Sequence, residues 1–359
     1  MWPSRRIIDL FKIEHPIVLG PMAGSGDAAL AIEVAEAGGL GSLPVATFNE
    51  QQMREQFAKI RAATKKPINL NFFCHKPPVP NNAREHAWRE RLKPYYVELG
   101  IDPNAPVPSS NRTPFDANFC AAVEDLKPEV VSFHFGLPEP ALLKRVKATG
   151  CLVISSATTV EEARWLEAGG CDAIIAQGVE AGGHRGMFLT ENIGTQVGTF
   201  ALVPQVVDAV KVPVIAAGAI TDGRGIAAAF ALGASGVQLG TAYLFCPESK
   251  IAPPHRSALK NSRDDGTVLT NLMTGRPARG IINRVMREIG PINPIAPEFP
   301  LAGGALAPLH AKAQSQGSGD FSSMWSGQAA ALGREMPARA LTAKLISEAQ
   351  AALRQLTQN

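Results

Sequence analysis

The sequence has no CxxC pair, no dense run of lysine or arginine, and no apolar stretch long enough to cross a bilayer. Its five cysteines, Cys74, Cys120, Cys151, Cys171 and Cys246, are odd in number and sit mostly in apolar segments, which predicts reduced thiols and neither a disulfide framework nor a zinc site. Cys74 and His75 have no further ligand at metal spacing, so no metal is expected. Without a basic stripe, a net charge of +3 over 359 residues builds no surface for nucleic acid or acidic lipid. Arg5 and Arg6 would head an export signal only if an apolar stretch followed, and Asp9, Lys12 and Glu14 interrupt it. These absences predict a cytoplasmic protein that handles small molecules.

What is present is a large core: 45% of the residues are hydrophobic and 19% charged. A chain of this length suits one large α/β domain with an appendage. Eight short apolar runs recur along the first 247 residues, beginning at Ile17, Leu40, Ile68, Val130, Leu152, Ala173, Val214 and Val237. Most of the intervals between them fit one strand, one helix and two loops. The intervening stretches Asp27 to Gly38, Thr159 to Gly169 and Asp222 to Gly233 are alanine-rich, open on a capping residue and stop at glycine, as crossover helices do. Eight such units predict a TIM (β/α)8 barrel. A doubly wound open sheet would want a Gly-rich dinucleotide fingerprint after its first strand, and Gly20 to Gly24 lacks that spacing.

The expected division is a barrel over 1–75 and 115–247, interrupted by an insertion over 76–114 that acts as a lid. A smaller, mainly helical substrate-covering region is expected over 248–335, and a final helix over 336–359 should pack back on the barrel.

In a barrel of this kind the residues just after each strand carry the chemistry. The stretch Ala173 to Gly186 is the most telling: an apolar strand runs into Gly182 and Gly183 and then presents His184, a titratable group beside bare backbone. Gly218, Gly240 and Thr241 follow the seventh and eighth runs, where backbone N–H groups bind phosphate, though the same glycines could simply make tight turns. Gln177 and Asn71 carry amides that either face a planar heterocycle or serve as ordinary barrel hydrogen bonders. Met22 suits either a ring face or the core. His134, between aromatics, is a second pocket residue or a satisfied core imidazole. Trp325 and Gln328 either reach the pocket or anchor the C-terminal region.

Taken together, Pro21 to Gly24, Asn71 to Phe73, Ser132 to Gly136, Gly178 to Gly186, Ala217 to Gly225, Gly236 to Thr241 and Trp325 to Gln328 resemble the motifs of the nitronate monooxygenase family, formerly 2-nitropropane dioxygenases, in its bacterial and fungal class. The resemblance spans nearly the whole chain. It implies an FMN enzyme on a TIM barrel, with Met22, Ala23, Asn71, Gln177, Gly182, Gly183, Gly218, Gln238, Gly240 and Thr241 around the cofactor and His184 as the catalytic histidine. His134, Trp325 and Gln328 would belong to the substrate pocket. The tyrosines of the family's pocket have no evident counterparts, since the chain holds only Tyr95, Tyr96 and Tyr243. The implied reaction is the oxidation of an alkyl nitronate, or of a nitroalkane, by O2 to a carbonyl compound and nitrite, by a monomer or a homodimer. Two rival expectations stand beside it: an FMN-dependent NAD(P)H reductase of quinones or enoyl thioesters, and a non-catalytic barrel that binds a phosphorylated metabolite.

Overall fold

The computed structural model describes residues 2–110 and 112–358. Met1, Asn111 and Asn359, which fall in the expected barrel, lid and final-helix ranges, lie outside the described residues. Eleven strands occur among the rest: β1 (Ile17–Leu19), β2 (Gly41–Pro44), β3 (Ile68–Phe73), β4 (Val130–His134), β5 (Leu152–Ala157), β6 (Ala173–Gln177), β7 (Gly183–His184), β8 (Val214–Ala217), β9 (Gly236–Leu239), β10 (Thr267–Thr270) and β11 (Ala278–Ile281). Eight of them form one parallel sheet in the order β1-β9-β8-β6-β5-β4-β3-β2, and a parallel bridge between Val18 and Leu40 joins its two edges. The sheet is therefore a closed barrel, built from the eight apolar runs read in the sequence.

The local signals explain the alternation. Asp27, Thr159 and Asp222 each sit in extended backbone and accept from the first N–H groups of the helices Ala28–Glu36, Val160–Ala168 and Gly223–Ala231. Gly38 and Gly233, with φ of +86° and +92°, let the chain turn back after two of these helices. The barrel strands are buried on both faces because helices cover the outside and side chains fill the inside.

One end of the barrel is plugged. Ile7 and Phe11 of the helix Arg6–Phe11 pack with Val18, Leu40, Val130, Ile154, Ile175 and Ile215 in one apolar cluster. That seals the end where the strands start and leaves the end where they finish for a ligand.

A second apolar cluster lies outside the barrel. The helix Asn82–Glu98 packs on the helix Ala302–Ser315, with Trp88, Leu92, Tyr95 and Tyr96 buried against Leu306, Leu309 and Met286. Trp88 Nε1 donates to the Ala302 carbonyl at 3.0 Å, and the Tyr96 hydroxyl donates to the Ala305 carbonyl. The helix of the first insertion thus joins the C-terminal region through its own core. The final helix, Ala338–Gln358, packs on Gly223–Ala231 and Ala28–Glu36, and the hydroxyls of Tyr243 and Thr342 meet at 2.8 Å. No helix among the described residues is long and apolar enough to cross a membrane.

Candidate active site

A cavity of about 1280 Å3, counted to its open mouth, lies at the open end of the barrel. Its walls come from strand ends: Met22 and Ala23 after β1, Asn71 in β3, His134 at the end of β4, Gln177 at the end of β6, Gly218 after β8, and Gln238, Gly240 and Thr241 from β9 and beyond. Gly182, Gly183, His184 and Trp325 also line it. Of the residues singled out in the sequence, only Gln328 does not; its N–H donates to the Glu180 carbonyl at 3.1 Å and its neighbours Gly327 and Ala329 reach the cavity instead.

His184 is held by a feature that local periodicity does not announce. Gly183 and His184 form the two-residue strand β7, paired antiparallel with Arg279 and Ala278 of β11, which in turn pairs with β10. The His184 carbonyl receives two side-chain donors: Gln177 Nε2 at 3.0 Å and His134 Nε2 at 3.2 Å. A carbonyl can only accept, so His134 carries its proton on Nε2 and its Nδ1 accepts from the Ser156 hydroxyl at 3.1 Å. Gln177 Oε1 accepts from Gly186 N at 2.8 Å, so this amide clamps the loop on both sides of Arg185. The Arg185 guanidinium is buried and donates to the carbonyls of Gln177 and Gly178, both at 2.7 Å, which ties the loop back to β6.

The His184 ring itself lies among aromatics. Its centroid is 5.3 Å from Phe299, 5.4 Å from Trp325, 5.9 Å from Phe73 and 6.0 Å from Phe135. Nε2 meets the Thr274 hydroxyl at 2.9 Å, while no protein partner engages Nδ1 among the described residues. Burial drives the His184 pKa well below its usual value, and the positive charges of Arg112 and Arg276 push the same way. His134 is lowered to about 3, chiefly by burial. Both imidazoles are therefore neutral at pH 7 in the free protein.

The glycines act for more than one reason. A Cβ on Gly182 would lie 2.5 Å from Gly327 N and 2.6 Å from Ser326 C, so it is the returning C-terminal chain, as much as any ligand, that demands glycine there. Gly327 N also donates to the Thr241 hydroxyl at 2.9 Å, which fastens that chain to the barrel rim. Gly240, by contrast, faces open space apart from Met22 Sδ at 3.7 Å. Gly218 and Ala219 are consecutive residues at positive φ, +119° and +55°, and Phe135 is at +71°; strained backbone gathers at the strand ends that face the cavity. Ile220 and Thr221 still line the cavity, and the stretch from Asp222 turns away: Asp222 caps its own helix and pairs with Arg224, and a Cβ on Gly223 would meet Glu348 at 2.3 Å.

Several participants were not apparent from the sequence. Phe73 and Ser156 lie within strands β3 and β5, where a mostly apolar or small-residue run does not mark which side chain meets the cavity. Thr274 and Arg276 flank Gly275, in a turn before β11, and the Arg276 guanidinium stacks 4.1 Å above the Phe135 ring. Arg112 comes from a stretch of proline, serine and asparagine without periodicity; only its charge could have marked it. None of the three tyrosines lines the cavity.

A family model described as nitronate monooxygenase matches residues 4–348. The nitronate monooxygenase of Pseudomonas aeruginosa is 43% identical over 347 residues, 96% of this chain and 98% of that protein. Among solved structures, the nitroalkane oxidase of Streptomyces ansochromogenes is similar with a TM-score of 0.89 at 37% identity, covering 98% of this chain and 99% of that one. FabK from Thermotoga maritima is similar with a TM-score of 0.75 at 29% identity, covering 100% and 99%.

Proposed function

Because the chain belongs to the nitronate monooxygenase family, we propose that it oxidises alkyl nitronates with O2 to carbonyl compounds and nitrite, with FMN as its cofactor. The observation that carries this reading is the placement of His184: a neutral imidazole, fixed by a β-ladder and by Thr274, at the strand-end cavity of a barrel.

The residues present fit a flavin nucleotide. Gln238 Oε1 is buried without a hydrogen-bond partner although its residue lines the cavity, and a bound ring with an N–H group would satisfy it. Gly218, Gly240 and Thr241 would hold the phosphate through backbone N–H groups, at the place where barrels of this kind bind it. Met22, Ala23, Asn71, Gln177, Gly182 and Gly183 complete the wall. When bound, FMN supplies the one-electron oxidation and the reaction with O2.

The protein's own part is binding, orientation and the proton. In the tautomer that donates Nε2–H to the Thr274 hydroxyl, His184 Nδ1 is the free acceptor that takes the α-proton when a neutral nitroalkane is the substrate. The nitronate that forms as the proton leaves offsets the arginine charges and so stabilises the imidazolium beside it. His134 and Gln177, bonded to the His184 carbonyl, keep the ring from drifting. Phe73, Phe299 and Trp325 exclude water around it. The segments 76–114 and 248–335 serve in this reading as the roof that governs which substrates reach the barrel.

Anaerobic mixing of the yellow holoprotein with NADH, and separately with an alkyl nitronate, tests the reading against the reductase alternative. The nitronate is expected to change the flavin spectrum and NADH to leave it oxidised. Rapid bleaching by NADH with no response to the nitronate would assign the protein to the reductases.

A further inference from the structure

Among the described residues, the cavity has no aspartate or glutamate in its lining, and the one permanently charged side chain there is that of Arg112. No carboxylate among the described residues pairs with Arg112; burial alone perturbs it. An unpaired, half-buried guanidinium is costly unless something anionic completes it.

The fold positions this group deliberately. Upstream, Arg89 donates to the carbonyls of Pro103 and Ala105, both at 2.8 Å, and the Val107 side chain and Pro108 carbonyl pack so closely on Gly304 that a Cβ there would lie 2.6 Å from Val107 Cγ1 and 2.9 Å from Pro108 O. Downstream, Phe115 N donates to the Phe73 carbonyl at 2.7 Å. Arg112 is presented between these two anchors. It lines the main cavity and also a second one formed with Ser109, Ser110, Gly303, His310 and Ser323. It therefore stands where the barrel-end cavity meets the space beside the helix Ala302–Ser315.

The other nearby cation is committed elsewhere. Arg276 stacks on Phe135, donates to the Met187 carbonyl and does not line the cavity. His184 and His134 are neutral, and Tyr95, Tyr96 and Tyr243 are engaged in packing away from the site. Among ionisable groups, Arg112 is the one whose charge His184 feels most strongly.

Resting on the proposed oxidation of nitronates, we infer that Arg112 is the residue that binds the anionic nitro group of the substrate beside His184, so that charge binding and proton transfer are divided between two side chains. A planar guanidinium offers two parallel N–H donors to two oxygens, the geometry of a nitronate as of a carboxylate.

The test uses the FMN-loaded full chain with Arg112→Met and Arg112→Lys. For Arg112→Met, KM for a preformed alkyl nitronate should rise about 10- to 100-fold, the worth of a charge-assisted hydrogen bond, with FMN content unchanged and kcat much less affected. Arg112→Lys, which keeps the charge but not the fork, should recover part of the loss. In parallel, inorganic nitrate, a planar anion, should perturb the flavin spectrum of the wild type and compete with the nitronate, and should do neither in Arg112→Met. A KM within about twofold of wild type, or undiminished nitrate binding, overturns the assignment. If the wild type turns over no nitronate, the functional reading fails, and the nitrate titration alone decides whether Arg112 is the anion-binding group. If Arg112→Met does not fold, Arg112→Gln carries the same measurements.

Discussion

Replacing His184 by asparagine separates the two roles that a histidine at this position can play. The substitution leaves the backbone of β7 intact, with its pairing to Ala278 and the bonds from Gln177 and His134 to the carbonyl, so FMN retention should be unchanged. It removes the imidazole and its contact with Thr274, leaving partly vacated space among Phe73, Phe299 and Trp325. The stability cost should be about 1–3 kcal/mol, within the ordinary range for a buried polar side chain. The catalytic cost depends on the substrate form. Loss of a positioned general base is worth about 10² to 10⁴ in rate, and His184, neutral in the free protein, is suited to that role rather than to supplying standing positive charge. kcat/KM should therefore fall by about 10² to 10⁴ on a neutral nitroalkane and by less than about tenfold on the preformed nitronate. An equal fall on both forms would mean that the ring stabilises the anion, and near-wild-type values on both would make it a packing residue.

Three further outcomes follow from the geometry. Gly182→Ala should push the Ser326–Gly327 chain away from the barrel rim, because its new methyl would lie 2.5 Å from Gly327 N; a melting experiment should show a loss of about 1–3 kcal/mol together with weaker FMN retention. Trp88→Ala should cost about 3–5 kcal/mol by emptying the core between the helices Asn82–Glu98 and Ala302–Ser315, and a separate, earlier unfolding step of that region by calorimetry is the expected readout. Stability should fall as pH drops below about 6.5, because His134, lowered to about 3, and His75 and His255, each lowered to about 4, stay neutral in the folded chain while the unfolded chain takes up protons. Each contributes a slope of about 1.4 kcal/mol per pH unit between its unfolded and folded values, and denaturant melts of His134→Gln should show a shallower decline than wild type.

The barrel was readable because its strands are continuous apolar runs and its helices carry their own caps; Asp27, Thr159 and Asp222 mark helix starts by chemistry that acts within three residues. The strands β7, β10 and β11 were not, because a pairing such as Gly183–His184 with Ala278–Arg279 joins positions far apart in the chain and follows no local alternation. Most of the wall of the cavity was legible, since strand ends in a barrel must converge. Arg112 was not, because the stretch around it has no period and its position is set by Arg89, Gly304 and Phe73 from three other elements. The reason for Gly182 also differed: close approach was expected from a ligand, and the structure adds the chain at Ser326 and Gly327.

Nitronate oxidation is read out by supplying the FMN-loaded protein with an alkyl nitronate in aerated buffer and following O2 uptake and nitrite together. Nitrite and the carbonyl compound should appear as O2 is consumed, without any added NADH or NADPH. No nitrite and no O2 uptake from a fully flavin-loaded protein, at nitronate concentrations spanning the millimolar range, would contradict it.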